Sequence, residues 1–250
     1  MKPVVALDFD GVICDSLDEC LLTAYNAYRR FDGETGRAHS VSELDLDFVS
    51  RFRRQRYLVR PAPEYWLLVH WLLSQPDDLD MESFEALRGD YKDTLTAFEP
   101  IFFDVRTELR RTDAEFWSGL HRPYEECATS WDSLSRICKI HLVTTKDLES
   151  VRHFNGLWEL GLQDDRLWTH ERAPSKAWAI RRIAVTENCT PSDIAFVDDD
   201  LRHLRDVSET GARCYWASWG YTSAAGFSLD TRSGASSLAQ LSDLLDHFVR

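Results

Sequence analysis

The stretch VVALDFDGVICDS, residues 4–16, sets two aspartates one residue apart at the end of an apolar run and follows them with a glycine. If the run is a strand, Asp8 and Asp10 point to the same face, because side chains alternate with a period of two. Adjacent carboxylates repel, so the pattern calls for a cation beside them or a division of labour between them. Gly11 lets the chain turn tightly without a Cβ in the way.

Outward from this stretch, short apolar and β-branched runs recur at KIHLVT (139–144), RLWTH (166–170), DIAFVD (193–198) and ARCYWAS (212–218), interleaved with helical patterns. The alternation predicts an α/β fold, a Rossmann-like parallel sheet with helices on both faces. In such sheets ligands bind beyond the carboxyl ends of the strands, where strand order reverses. Roughly 120 residues separate the first run from the second, far more than one crossover helix needs. Helical periodicity covers residues 17–31, about 41–58, 63–74, and 81–109 with a break near 99–100, and prolines punctuate it. Residues 16–120 are therefore expected to form an inserted all-helical cap, with 1–15 and 121–250 as the core. Residues 220–237 read as an irregular loop before a final amphipathic helix over 238–249.

Composition narrows the partners. With 29 basic and 42 acidic residues the net charge is −13, which argues against nucleic acid or an anionic membrane. Six cysteines lie scattered without a CxxC pair, a pattern of reduced thiols rather than a disulfide framework or zinc site. No uncharged apolar run approaches the roughly 20 residues of a membrane span. Val4 already begins a strand, which leaves no room for a signal peptide. A cytoplasmic protein is expected, and the sequence carries no clear signature of oligomeric state.

Polar residues gather at the strand ends: Asp8 and Asp10 on the first, Thr144 and Thr145 on the second, and Asp198, Asp199 and Asp200 on the fourth. Lys176 stands in APSKAWAI at the start of a helix. This ordered set resembles the four motifs of the haloacid dehalogenase-like superfamily. The likeness extends to the cap-entry segment DFDGVICDSLDECLLTAYNAY, to LVTTKD and to CYWASWGYTS, which is similar to phosphoglycolate phosphatase-like members with a C1-type helical cap.

The resemblance implies a phosphatase acting on a small phosphorylated metabolite, with Mg2+ as cofactor. Asp8 would be the nucleophile that forms an aspartyl phosphate, and Asp10 the general acid and base of the two half-reactions. Thr144, Lys176 and the backbone near Gly11 would hold the phosphoryl oxygens. The metal would rest on Asp8, the backbone carbonyl of Asp10, and the acidic group at 198–200. Alignment with the motif places Asp199 as principal ligand and Asp198 as direct or water-mediated support. His203 stands where a second acid is usual.

Each residue also has a plainer reading. Asp200 fits a helix N-cap, Cys14 a buried thiol, His203 a polar helix residue, and Tyr65, Trp66 and Trp71 the core of the cap. The run Arg51, Arg53, Arg54, Arg56 and Arg60 reads as a solvated helical face, or as one or two cations reaching a substrate anion. A β-phosphoglucomutase-like mutase shares the same motifs, and a binding protein that has kept the fold without turnover is the reading from another class.

Overall fold

The computed structural model describes residues 2–221 and 235–248. The strands are β1 (Val4–Leu7), β2 (Cys14–Asp15), β3 (Arg122–Pro123), β4 (Lys139–Val143), β5 (Leu167–Trp168), β6 (Ile194–Asp198), β7 (Arg213–Ala217) and β8 (Ser236–Leu238). Six of them form one parallel sheet in the order β5-β4-β1-β6-β7-β8. The chain divides into two compact units, residues 16–122 and residues 1–15 with 123–250.

In the sheet-bearing unit, β1 and β6 are buried along their whole length. Their near-continuous apolar sequences suit a strand covered on both faces by helices. After β1 the chain enters the sheet again at β4 on one side and later at β6 on the other, so strand order reverses at β1. The carboxyl ends of these three strands are the predicted ligand position of an open α/β sheet. Helices α7 (Glu125–Ile137), α8 (Leu148–Leu157), α9 (Lys176–Thr186), α10 (Leu201–Ser208) and α11 (Asp243–Phe248) belong to this unit. Asp147, Ser175 and Asp200 cap α8, α9 and α10 by accepting from the backbone amides of Ser150, Trp178 and Arg202.

The other unit is helical: α1 (Leu17–Phe31), α2 (Leu46–Gln55), α3 (Tyr65–Ser74), α4 (Met81–Asp90), α5 (Lys92–Thr112) and α6 (Ala114–Gly119). Its core is aromatic, with Tyr65 stacked against Phe52 and Phe102 at ring separations of 5.9 and 5.3 Å. Tyr65 and Trp66 are buried in that core and Trp71 packs on its edge, as expected.

Several boundaries differ from the sequence reading. The expected helix over 41–58 is α2 flanked by two single 3₁₀ turns, Val41–Glu43 and Arg56–Leu58. The expected break at Pro100 lies instead at Tyr91, and Pro100 sits inside α5. A proline there loses one backbone hydrogen bond, but Phe98 and Phe102 are fully buried on either side and hold the helix through it. The final helix begins at Asp243, because Ser236–Leu238 pairs with β7 as an edge strand. Most of the expected loop, residues 222–234, lies outside the described residues.

The arginine run is engaged within the helical unit. Arg51 is buried and donates to the carbonyls of Leu72, Gln75 and Asp77, while Arg53 and Arg54 pair with Asp18 and Asp78. Arg56 lies over the Tyr65 ring. All six cysteines are free. Among the described residues no helix is long and apolar enough to cross a membrane.

Candidate active site

Asp8 follows β1 directly, and its amide donates to the Val197 carbonyl of β6 at 3.0 Å. Leu7 is level with Val197 in the sheet, so Asp8 and Asp198 are neighbours in register. Both carboxylates are buried. The ammonium of Lys176, at the N-terminus of α9, lies between them, 2.8 Å from Asp8 Oδ2 and 2.7 Å from Asp198 Oδ2. Burial raises the Asp8 carboxyl to about 6, with Lys176 opposing the shift. Burial acts on Asp198 in the same sense, but Lys176 and His203 outweigh it and hold this carboxyl below its ordinary value. Lys176 is itself desolvated, yet the two carboxylates raise its affinity for its proton. The cluster is thus a charged triad of two acids and one base.

His203 adds a nitrogen to this triad. It projects from the first turn of α10, with Nδ1 3.4 Å from Asp198 Oδ2. That nitrogen is buried and makes no hydrogen bond. Among the described residues, Asp8, Asp198 and His203 form the one group whose potential ligand atoms all lie within 4.8 Å of one another.

Asp199, the acid expected to lead in metal binding, stands outside that group. Its Oδ2 accepts from the Tyr221 amide at 2.7 Å, and its backbone carbonyl accepts from the Trp216 indole at 3.0 Å. Its carboxylate also packs against Gly11, where a Cβ would come within 2.4 to 2.6 Å of it. With φ at +85°, Gly11 occupies a position that a side chain would both strain and obstruct. Asp200 caps α10 and pairs with the Arg202 guanidinium at 2.7 Å.

Asp10 is held separately. Its two carboxylate oxygens lie 3.2 and 3.3 Å from the Nζ of Lys146, a lysine whose side chain is wholly buried and passes over the Phe9 ring. The Lys146 amide donates to Thr144 Oγ1 at 3.1 Å. Thr144 therefore sits buried at the end of β4 with its oxygen already accepting, which leaves its hydroxyl proton to be donated. The arrangement gives each of the two opening carboxylates its own ammonium, which resolves the repulsion between them.

The sequence reading did not single out Lys146, and it took His203 as a polar helix residue standing where a second acid is usual. The signal for Lys146 was its place two residues beyond the threonine at a strand end. For His203 it was the helical spacing that returns residue 203 to the first turn above Asp198–Asp200.

No family model matches the chain, and no curated protein matches it. Solved structures do, over nearly the whole length. A haloacid dehalogenase-like family hydrolase from Streptococcus pneumoniae aligns with a TM-score of 0.66 at 15% identity, covering 99% of this chain and 98% of that one. A predicted phosphatase from Clostridium acetobutylicum gives 0.62 at 14% identity, covering 100% and 99%. A predicted phosphoglycolate phosphatase from Haemophilus somnus gives 0.64 at 13% identity, covering 98% and 97%. The chain has the fold of the haloacid dehalogenase-like hydrolases, an α/β parallel-sheet core with an inserted helical cap.

Proposed function

We propose that the protein is a phosphomonoesterase that hydrolyses a small phosphorylated metabolite through an aspartyl phosphate on Asp8. The observation that carries this reading is the buried Asp8–Lys176–Asp198 triad at the point where strand order reverses. The phosphatase names among proteins of the same fold support it. Residues 1–15 and 121–250 would be the catalytic core and residues 16–120 the cap. The free cysteines fit a reducing cytoplasm.

In this mechanism an oxygen of Asp8 attacks phosphorus in line as the ester oxygen departs. Asp10 gives that oxygen a proton and then takes one from the water that cleaves the aspartyl phosphate. Lys146 keeps the Asp10 carboxylate aimed, and Lys176 keeps Asp8 aimed and neutralises part of the charge of the phosphoryl group. The Thr144 hydroxyl and the amides around Gly11 donate to phosphoryl oxygens. A divalent cation fits on one observation, the buried carboxylate of Asp199 lying against the turn after Asp8 and Asp10, where a Cβ on Gly11 would come within 2.4 to 2.6 Å of it. Asp8, Asp198, the Asp10 carbonyl and Asp199 are the oxygen donors that would hold it, with Mg2+ the ion the oxygen set suits. When bound, the cation screens the repulsion between a carboxylate nucleophile and a phosphate dianion.

The test is hydrolysis of an aryl phosphate with Mg2+ present or chelated. The wild-type protein is expected to release phosphate only with the cation, and Asp8→Asn to release none. Turnover that survives in Asp8→Asn would sink the mechanism. A panel of phosphorylated metabolites then identifies the substrate.

A further inference from the structure

We propose that Trp219, Gly220 and Tyr221 are positioning residues: the turn after β7 sets the Asp199 carboxylate against the Gly11 turn and so completes the cation site. The inference rests on the reading of Asp199 as a cation ligand and concerns what holds it in place.

The placement begins with strand register. Asp198, the last residue of β6, is level with Trp216 of β7, so the chain leaving β7 runs beside the chain leaving β6. The Gly220 amide donates to the Ala217 carbonyl at 3.2 Å, which closes a tight turn directly after the strand. Ser218 ties this turn to the edge strand, donating to the Leu238 carbonyl from its amide at 3.3 Å and its hydroxyl at 2.8 Å. The turn thus delivers residues 219–221 to the segments that follow β1 and β6.

Four hydrogen bonds fasten them there. The Trp216 indole donates to the Asp199 carbonyl at 3.0 Å and the Tyr221 amide to Asp199 Oδ2 at 2.7 Å. The Trp219 indole donates to the Val12 carbonyl at 3.1 Å and the Tyr221 hydroxyl to Asp15 Oδ1 at 3.3 Å. Two of the bonds hold Asp199, and two hold the chain just beyond Asp10 and Gly11.

The close approach of three backbones gives an independent reason. A Cβ at Gly220 would lie closer than 3.0 Å to the Gly11 carbonyl oxygen and to the Asp199 Cβ. Gly220 is not among the glycines with positive φ, so space rather than backbone conformation calls for glycine here. Both glycines leave room for the same aspartate, Gly11 for its carboxylate and Gly220 for its Cβ. An acid packed and hydrogen-bonded in this way keeps its orientation before any ion arrives, which limits the ordering cost of binding.

The experiment is a thermodynamic cycle read in cation affinity. Mn2+ binding is measured from the loss of the free-ion electron paramagnetic resonance signal for the wild type, Gly220→Ala, Trp219→Phe and Asp199→Asn, and for each of the first two variants combined with Asp199→Asn. Circular dichroism melting of the cation-free proteins establishes that each one folds. Asp199→Asn and Gly220→Ala are each expected to weaken Mn2+ binding by about tenfold or more. Trp219→Phe, which keeps the ring and removes one donor, should weaken it by about 2- to 10-fold. It carries the test alone if Gly220→Ala does not fold. Because the turn acts through one carboxylate, adding either change to Asp199→Asn should weaken binding by no more than about twofold further.

Losses that multiply in the double variants overturn the proposal, as do single variants of the turn that bind like the wild type. The outcomes separate from the proposed function. No Mn2+ binding by the wild type removes the cation site and this proposal with it, while phosphate release dependent on Asp8 would still uphold the aspartyl-phosphate reading. Binding with multiplied losses removes only the role of the turn. Coupled losses in a protein that cleaves no phosphate ester would keep the role of the turn and sink the phosphatase reading.

Discussion

Two buried ion clusters, one in each unit, show how the same chemistry is closed in one place and left open in another. In the helical unit, Glu19 of α1 and Arg106 of α5 meet in a bidentate pair at 2.8 and 2.9 Å, with both side chains almost wholly buried. Thr23 donates to the same carboxylate at 2.9 Å and Arg106 lies over the Phe102 ring. One carboxylate meets one guanidinium in bidentate geometry, with the His121 imidazole nitrogen 3.9 Å from the same acid. In the sheet-bearing unit two buried carboxylates share the single ammonium of Lys176, and the His203 imidazole stands 3.4 Å from Asp198. A folding chain that needed only stability would not bury two carboxylates against one ammonium in this way, because desolvating a charge is costly unless it is paired. The balanced pair reads as scaffold, and the unbalanced triad as a place prepared for a ligand.

The largest effects should fall on the open cluster and appear in activity. Asp8→Asn is expected to abolish phosphate release and any phosphoenzyme trapped by rapid acid quench. Asp10→Asn should slow turnover by about 10² to 10⁴, the range that positioned acid–base catalysis contributes. Recovery of the two variants with native melting behaviour would show that the acids serve chemistry rather than packing. If either variant kept full turnover, the contrast with the helical unit would lose its meaning.

The closed cluster should behave in the opposite way. Arg106→Met leaves the Glu19 carboxylate buried without its main partner, and unfolding in urea should show a loss of about 3 to 5 kcal/mol. Replacing both partners, Glu19→Leu with Arg106→Met, should recover most of that loss, because an apolar pair can take the place of a buried ion pair. A double variant as unstable as the single one would mean that the pair does more than fill and tether.

Lys146 tests the boundary between the two kinds. It is as buried as Arg106 and pairs with Asp10, which looks structural, yet its partner is the proposed acid and base. Lys146→Met should lower kcat by about 10 to 100-fold through the lost charge-assisted contact, leaving KM nearly unchanged, and Lys146→Arg should recover part of it. A loss of stability without a loss of kcat would move Lys146 to the scaffold.

The uneven legibility of the sequence follows from the same physics. Strand ends were readable because four buried apolar residues leave a strong pattern, as in Val4–Leu7 and residues 194–197, and the polar residues that close them stand out. Which acid of the fourth strand faces Asp8 was not readable, because it depends on the register that levels Leu7 with Val197, and register is a property of the pair rather than of either strand. Motif alignment names Asp199 as principal metal ligand with Asp198 in support, and the register adds that Asp198 is the acid level with Asp8. The edge strand Ser236–Leu238 carries two exposed residues in three and so has no apolar pattern to betray it. Pro100 misled because local propensity signals a break that aromatic packing overrides. Lys146 and His203 are single polar residues whose meaning comes only from what the fold brings beside them.

A third buried group gives the smallest effect and a further check on the contrast. His141, in the middle of β4, donates from Nε2 to Glu187 at 3.0 Å while Nδ1 accepts from the Trp168 indole at 3.3 Å, and Lys139 donates to the same Glu187 carboxylate. Burial lowers the His141 pKa from its ordinary 6.5, outweighing the pull of Glu187 in the opposite direction. A histidine whose pKa is depressed on folding binds its proton more readily in the unfolded chain. Its contribution to stability is therefore full above about pH 6.5 and is lost as pH falls through that value toward the folded pKa. Urea midpoints of the metal-free protein should fall between pH 7.5 and 5.5, and His141→Gln, which keeps a donor for Glu187 but cannot take up a proton, should flatten that slope. Phosphate release at pH 7.5 should be the same for both proteins, since this cluster is satisfied like the Glu19–Arg106 pair and lies apart from the strand-end carboxylates. A pH slope unchanged in His141→Gln would place the titration elsewhere, and a drop in turnover at pH 7.5 would show that a satisfied cluster in this unit still reaches the chemistry.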